Sequence, residues 1–529
     1  MNLRYIKKML PAAALVLSLG MTSCVGDLDV TPQDPSTNMT VDLDALFNKC
    51  YANMALAGNG GANGDCDIDG LDGGTTGFVR QLFNANELTT DESICCWGDE
   101  GIPAFNFNQW GASHPMLKGF YYRLYFGVTI CNHYLEIGSD YDATMTAEIR
   151  FLRALYYYYL MDSFGNIPFL TTVSSEKASQ ASRAEVYSWI ESELLECAET
   201  MSEPEAKLST DDGYGRADKA AAWLLLSRLY LNAEIYTGTA QWDKAAEYAQ
   251  MVMDSDYSLY TAGNSSYSAY QMLFMGDNGE NGASCEAILP LLQDGITTTS
   301  WGTTLFIIAS TYKSDMASCG TTEAWAGNRA RPEFVAKFFP NGDAPQVTTT
   351  EMVAAAGDDR ALLWGKDRTL SVDNISEFTS GYSVAKFTNL YSTGGAAKNS
   401  QFVDTDFFLM RVAEAYLTYA EATCRANGGS ITSAGKSAID AIRSRANADI
   451  KNTYSLNDIL DEWSREFFYE GRRRIDLIRY GRFGGTSDYK WQWKGGTQAG
   501  TNFSSNLNIF AIPDTDLNTN SNLVQNPGY

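Results

Sequence analysis

The sequence predicts a mainly α-helical protein, a tetratricopeptide-like helical repeat scaffold that carries a loop-rich irregular lobe. Apolar stripes at helical spacing recur from about residue 117 to 254 and again from about 405 to 482. Within them small and large apolar residues alternate on one face (Ala217, Ala221, Leu224, Leu225, then Trp242, Ala245, Ala246, Ala249), which lets neighbouring helices approach closely, although no fixed repeat length can be read. Between the helical tracts, residues 58–116 and 257–404 read as a loop-rich lobe, the later segment rich in Gly, Thr, Asn and aromatics, a composition of functional loops.

Taken in order, the chain opens with Arg4, Lys7 and Lys8, then the apolar run Met9–Met21, too short to span a bilayer, then Thr22-Ser23-Cys24. Residues 1–23 read as a signal peptide. The ending before Cys24 resembles a bacterial lipobox, so Cys24 is the expected lipid attachment site, followed by a tether over 24–40. Val25-Gly26-Asp27-Leu28-Asp29 also resembles the acidic stretch that sends some lipoproteins to the cell surface. Residues 41–529 read as one domain. Its first helix is expected over Val41–Ala57, then a glycine-dense loop from Gly58 to Gly77 whose aspartates do not meet the EF-hand pattern. Asp142 caps a helix through Asp162 that stops at Gly165, and Tyr156–Tyr159 cover all its sides, so it is packed all round. Ser182 with Glu185 forms a capping box. Helices return at Phe408, near Ser437–Ala446, and from Ser455 through Glu470, with Gly471 as the break; the tail 483–529 is irregular.

Composition excludes several functions. Acidic residues outnumber basic ones 64 to 39, a formal charge of −25, which argues against nucleic acid or anionic lipid as the ligand. There are two histidines, His114 and His133, in different segments, each read as structural, so a histidine-rich zinc site is disfavoured. Nine cysteines follow Cys24 without paired CxxC spacing and read as small buried residues. Cys95-Cys96 could form only a strained disulfide. Eleven Trp and thirty Tyr leave aromatics to spare for a binding surface.

Several motifs then occur in order along nearly the whole mature chain: RFLRA at Arg150–Ala154, FGNIP at Phe164–Pro168, GRADKAA at Gly215–Ala221, RVAEAY at Arg411–Tyr416, EWSREFFYEGRRRIDL at Glu462–Leu477, Ile512-Pro513 and QNPGY at Gln525–Tyr529. Together they resemble the SusD/RagB family. The resemblance implies an outer-membrane lipoprotein facing the cell exterior, without catalytic residues. Such proteins capture glycans or peptides and close over a SusC-like TonB-dependent transporter barrel. Asn86-Glu87-Leu88 with Thr90-Asp91-Glu92, and WQWKGG at Trp491–Gly496, are similar to the starch-binding member.

The arginines of the hallmark, Arg472–Arg474, stand among Glu462, Glu466, Glu470 and Asp476, and read as a salt-bridged helix junction. Binding candidates fall in the loops, because sugar C–H faces stack on flat aromatic rings while hydroxyls need carboxylates, amides or guanidinium. The resemblance places an aromatic arc at Trp301 and Trp325, with polar contacts from Asp72 and Arg80. Where the starch-binding member has its first arc tryptophan this chain has Cys95, with Trp97 two residues on, so the arc is either shifted to Trp97 or incomplete. Asp277 and Glu280, with Asp404 and Asp406, are candidate ligands of a structural calcium ion, or else two solvated acidic loops; no cofactor is required. The reading is capture of starch or a related α-glucan for transport. Alternatives are another glycan or peptides, a glycoside hydrolase, or a repeat scaffold for protein partners.

Overall fold

The computed structural model describes residues 41–64 and 66–529; the signal segment, Cys24 and the tether lie outside the described residues. Helix α1 spans Leu43–Ala52, shorter than the sequence suggested, and gives way to turns through Gly77 as the glycine density requires. The next stretch is more ordered than its loop-like composition implied. It holds α2 (Phe78–Asn86), β1 (Ser93–Cys95) and α3 (Ile102–Phe107). The buried set Phe78, Val79, Leu82 and Phe83 folds α2 by tertiary packing, not by propensity.

The scaffold then begins with α4 (Pro115–Gly138), where His114 caps by accepting from Leu117 N–H at 3.2 Å. Helix α5 (Ala143–Phe164) is capped by Asp142, and all four tyrosines Tyr156–Tyr159 are buried, as expected of a helix packed on every side. A short pair, β2 (Ile167–Pro168) and β3 (Gln180–Ala181), leads to α6 (Arg183–Thr200), which carries the Ser182–Glu185 capping box. Three more helices follow: α7 (Lys219–Leu231), α8 (Ala233–Thr237) and α9 (Trp242–Met253).

The lobe contains only short elements: α10 (Ala269–Met272), β4 (Ala287–Leu291), α11 (Thr304–Thr311), β5 (Asn328–Ala330), α12 (Pro332–Val335), α13 (Thr349–Ala356), β6 (Leu363–Trp364) and β7 (Ser383–Val384). Phe407–Arg411 is not the start of a helix. It is strand β8, buried at every position and antiparallel to β4. A short all-apolar run has no period to separate the two, and here pairing to β4 decides. The chain ends with α14 (Ala413–Ala426), α15 (Ser433–Arg445), α16 (Leu456–Phe467), α17 (Arg473–Arg479) and α18 (Asp514–Thr519). Helix α16 stops before Glu470, because Phe468 turns extended and Tyr469 takes φ 64°.

Helices pack in sequence, α4 on α5, α5 on α6, α6 on α7 and α7 on α9; α14 then covers α9 and α7 and carries α15 and α16. This layered array is the tetratricopeptide-like scaffold. No described helix is long and apolar enough to cross a membrane.

The lobe is fastened to the scaffold by buried charge. Glu466 on α16 pairs with Arg411 (2.7 Å) from β8, with Arg360 (3.3 Å) from the lobe, and with Arg445 from α15. Arg445 and Arg411 also reach Glu286 beside β4, and Lys386 joins Glu470 at 2.7 Å. Past the α16–α17 turn, Arg472 meets Glu414 at 3.1 Å and Asp476 at 3.2 Å, Arg473 meets Asp91 at 2.8 Å, and Arg474 pairs with Asp162. The hallmark is thus the salt-bridged junction its charges suggested. Burial would raise the Glu466 pKa, but Arg445, Arg411 and Arg360 bring it down to about 2.

Removing one member of such a network strands the others without a counter-charge. Glu466→Leu is expected to cost about 3–5 kcal/mol in chemical denaturation. Lys244→Ala, which breaks the solvent-facing pair with Glu191, should stay within about 0.5 kcal/mol. The native state keeps Glu466 ionised where the unfolded chain would bind a proton, so its contribution is complete above the ordinary glutamate range and is lost as pH falls toward about 2. Denaturation series at stepped acidic pH should show the loss, with a smaller slope in Glu466→Leu.

Candidate functional site

Two loop tryptophans are brought together by strand register. In the β1–β5 ribbon Ser93 faces Ala330, Ile94 faces Arg329 and Cys95 faces Asn328. Trp97 follows the end of β1 and Trp325 precedes the start of β5, so both indoles fall at the same end of the ribbon. Their ring centres are 6.5 Å apart at 52°, and Trp97 Nε1–H donates to the Trp325 carbonyl at 3.3 Å. Residues 325–327 lean on the end of α11: Trp325 N–H donates to Ala309 O (2.6 Å), Ala326 N–H to Tyr312 O (3.0 Å) and Gly327 N–H to Ser310 O (2.7 Å). Position 327 must be glycine for this, because a Cβ there would lie 2.3 Å from the Trp97 ring.

Trp301 arrives from the other end of α11. Its ring centre is 6.1 Å from that of Trp325 at 44°, and its Nε1–H donates to Asn63 Oδ1 at 2.9 Å. The glycine-dense early loop is thereby explained. Its backbone runs against Gly302, whose carbonyl accepts from Arg80 N–H at 3.0 Å, and a Cβ on Gly77 would sit 2.5 Å from that carbonyl. Trp325 is fixed in turn by Glu323, which accepts from its Nε1–H at 2.6 Å and from Gln401 Nε2 at 2.8 Å. Phe402, next to Gln401, places its ring 4.8 Å from Trp301 at 53°. All four residues are half-buried, unlike the core tryptophans Trp463 and Trp491.

Arg80, on α2, holds its guanidinium 5.9 Å from the Trp97 ring centre and 5.0 Å from that of Phe306. Burial lowers its pKa against the opposing pull of Asp72 and Asp99, and its Nε has no hydrogen-bond partner among the described residues. Asp72 is exposed. Partial burial opposes ionisation, but bonds from Thr75 N–H (2.9 Å) and Thr75 Oγ1–H (2.6 Å) carry its pKa below the ordinary value. Cys95 is a buried free thiol, pushed up to about 12 by burial, so Trp97 and not residue 95 faces the cluster. Cys96 is also free, its thiol donating to Ala326 O at 3.0 Å. His114 serves as a helix cap and is drawn down to about 4 by burial.

Three site residues escaped the sequence reading: Phe402, Glu323 and Asn63. Asn63 and Phe402 meet Trp301 across a long sequence separation, Glu323 holds Trp325 from two residues before it, and none belongs to a motif.

The four expected calcium ligands line one cavity of about 330 Å³, together with Asp294, Tyr214 and Lys398. Three of them are committed to protein partners, while Glu280 is exposed. Asp277 accepts from Ser392 Oγ–H (2.6 Å), Asp404 from Tyr391 Oη–H and Lys398 N–H (both 2.9 Å), and Asp406 from Gln293 N–H (2.7 Å) and Tyr214 Oη–H (2.8 Å). Among the described residues no three His, Cys, Asp or Glu side chains converge as a metal cage would. Two features still suit a cation: Asp404 Oδ1 is buried without a partner, and burial raises Asp404 and lifts Asp406 to about 7.

A helical-repeat body that presents an open row of aromatic rings on its loops has the build of a binding protein. The chain belongs to the SusD/RagB family. Residues 239–529 match the model described as "SusD family", and residues 28–231 match one described as "Starch-binding associating with outer membrane". It is 40% identical to the starch-binding protein SusD of Bacteroides thetaiotaomicron over 100% of both chains, and 23% identical to SusD-like protein P2 of Formosa agariphila over 97% of this chain and 98% of that one. Among solved structures, a SusD superfamily protein from Parabacteroides distasonis matches with TM-score 0.66 and 21% identity over 92% of this chain and 98% of its own. Surface glycan-binding protein A from Bacteroides fluxus matches with TM-score 0.66 and 18% identity over 94% and 100%. These likenesses establish the fold, and the relatives are named as binding proteins, not enzymes.

Proposed function

We propose that this chain captures starch or a related α-glucan at the cell surface and passes it to a TonB-dependent outer-membrane transporter. The observation that carries the reading is the half-exposed row Trp97–Trp325–Trp301, gathered from separate loops around α11. Successive rings are inclined at 52° and 44°, a non-planar surface that suits a helical glucan better than a flat one. Arg80 and Asp72 beside the row supply a donor and an acceptor for sugar hydroxyls. The 40% identity to a protein named as starch-binding supports the same ligand class. A sugar stacked on one ring adds on the order of 1 kcal/mol beyond area burial, about fivefold in affinity, so single sites bind weakly and many copies on one polymer supply avidity.

Trp301→Ala and Trp325→Ala are each expected to weaken maltooligosaccharide binding about fivefold or more, and together to abolish it, with melting temperatures near wild type. Calorimetry checks the affinities, and prolonged incubation with starch should release no reducing ends. Unchanged affinity in the double variant sinks the starch reading, and tighter binding to another polysaccharide or a peptide would replace it.

The lipid anchor at Cys24 is part of the proposal, supported by the lipobox likeness and by the family model's description of outer-membrane association. Cys24→Ala should leave the membrane fraction and lose palmitate labelling, while the anchored wild type should co-purify with a transporter barrel. Equal labelling of both forms rules the anchor out.

Calcium would be held by Asp404 and Asp406, where it would relieve two carboxylates that burial disfavours and pin the lobe. Millimolar calcium at neutral pH should then raise the melting temperature of wild type but not of Asp404→Asn. No shift in either leaves the two acidic loops as hydrogen-bonded turns.

A further inference from the structure

We propose that Phe402 is a fourth ring of the platform, contacting the sugar residue beyond Trp301 and so setting how long a glucan the site reads. The inference rests on the starch reading above and adds to it a residue that no motif marks. Phe402 extends the row at a closer spacing and a similar tilt: ring centres are separated by 6.5, 6.1 and 4.8 Å along Trp97–Trp325–Trp301–Phe402, and successive planes are inclined at 52°, 44° and 53°. Like the three tryptophans, Phe402 is half-buried, whereas Phe407 and Phe408, a few residues on, are buried.

The segment that carries Phe402 is built to hold it there. Asn399 Oδ1 accepts from Gln401 N–H at 2.8 Å and from Phe402 N–H at 3.1 Å, closing a tight turn. Gln401 joins that turn to Glu323, the residue that orients Trp325, and its carbonyl accepts from Thr321 Oγ1–H at 2.7 Å. The two ends of the row differ in chemistry. Arg80 stands over Trp97 at one end, and an apolar ring closes the other. A short oligosaccharide engages the central tryptophans, and only a longer one reaches Phe402.

The test is calorimetry with maltotriose and maltoheptaose on wild type, Trp301→Ala, Phe402→Ala and Phe402→Leu, with a melting curve for each. Phe402→Leu keeps apolar volume but removes the flat face. Both Phe402 variants are expected to lose about fivefold for maltoheptaose and little for maltotriose, while Trp301→Ala weakens both ligands. Wild-type maltoheptaose affinity in both Phe402 variants, with Trp301→Ala impaired, overturns the inference and leaves the starch reading standing. Loss for maltoheptaose in Phe402→Ala but not in Phe402→Leu assigns the ring to packing and also overturns it. No binding of either sugar by wild type overturns the reading and the inference together.

Discussion

The buried charges around Glu466 fix where everything else in the lobe can go. Arg360, Lys386 and Glu286 come from loop-rich sequence, Arg411 from a strand, Arg445 and Glu466 from scaffold helices. In a low-dielectric interior an unpaired member of this set costs several kcal/mol, so the network is satisfied in one arrangement only. Long irregular segments that would otherwise sample many paths are thereby returned to one place. The hallmark helices act as a clasp.

From that clasp the order passes to the aromatic row through the β1–β5 ribbon. Asp91 and Glu92, just before β1, answer Arg473 on α17, and Arg331, just after β5, is fully buried and donates to Ser93 O at 2.7 Å. Three residues of strand register then place Trp97 against Trp325. On the proposed function, rings held this way would lose little freedom on binding, so that a few weak stacking contacts could be felt as affinity. Their hydrogen bonds to Glu323 and Asn63 serve the same end, fixing ring planes without covering the faces.

The helical scaffold was legible in sequence because its signals are local. Asp142, Ser182 and Ser455 cap helices at the expected positions, since a cap is read within four residues of its helix. That Arg472–Arg474 form salt bridges was legible too, but of their partners only Asp476 is near in sequence, while Glu414, Asp91 and Asp162 come from distant segments. Local signals failed where two segments compete for one pattern. Phe407–Arg411 reads as a helix start until β4 pairs with it, and α2 reads as loop until its apolar face is buried.

What the sequence determined by itself is therefore the class of fold, the helix limits set by caps, the excess of acid and the residue types offered to a ligand. Spacing of 3.6 residues and charge composition do not depend on distant partners. The tertiary structure alone decided that Trp97, and not position 95, joins Trp325; that Phe402 and Glu323 stand beside the tryptophans; and that four aspartate and glutamate side chains share a cavity without forming a cage. Apart from Glu323 beside Trp325, those are distances between residues far apart in the chain. They are set by strand register and by the pairing of buried charge, neither of which leaves a periodic trace along the chain.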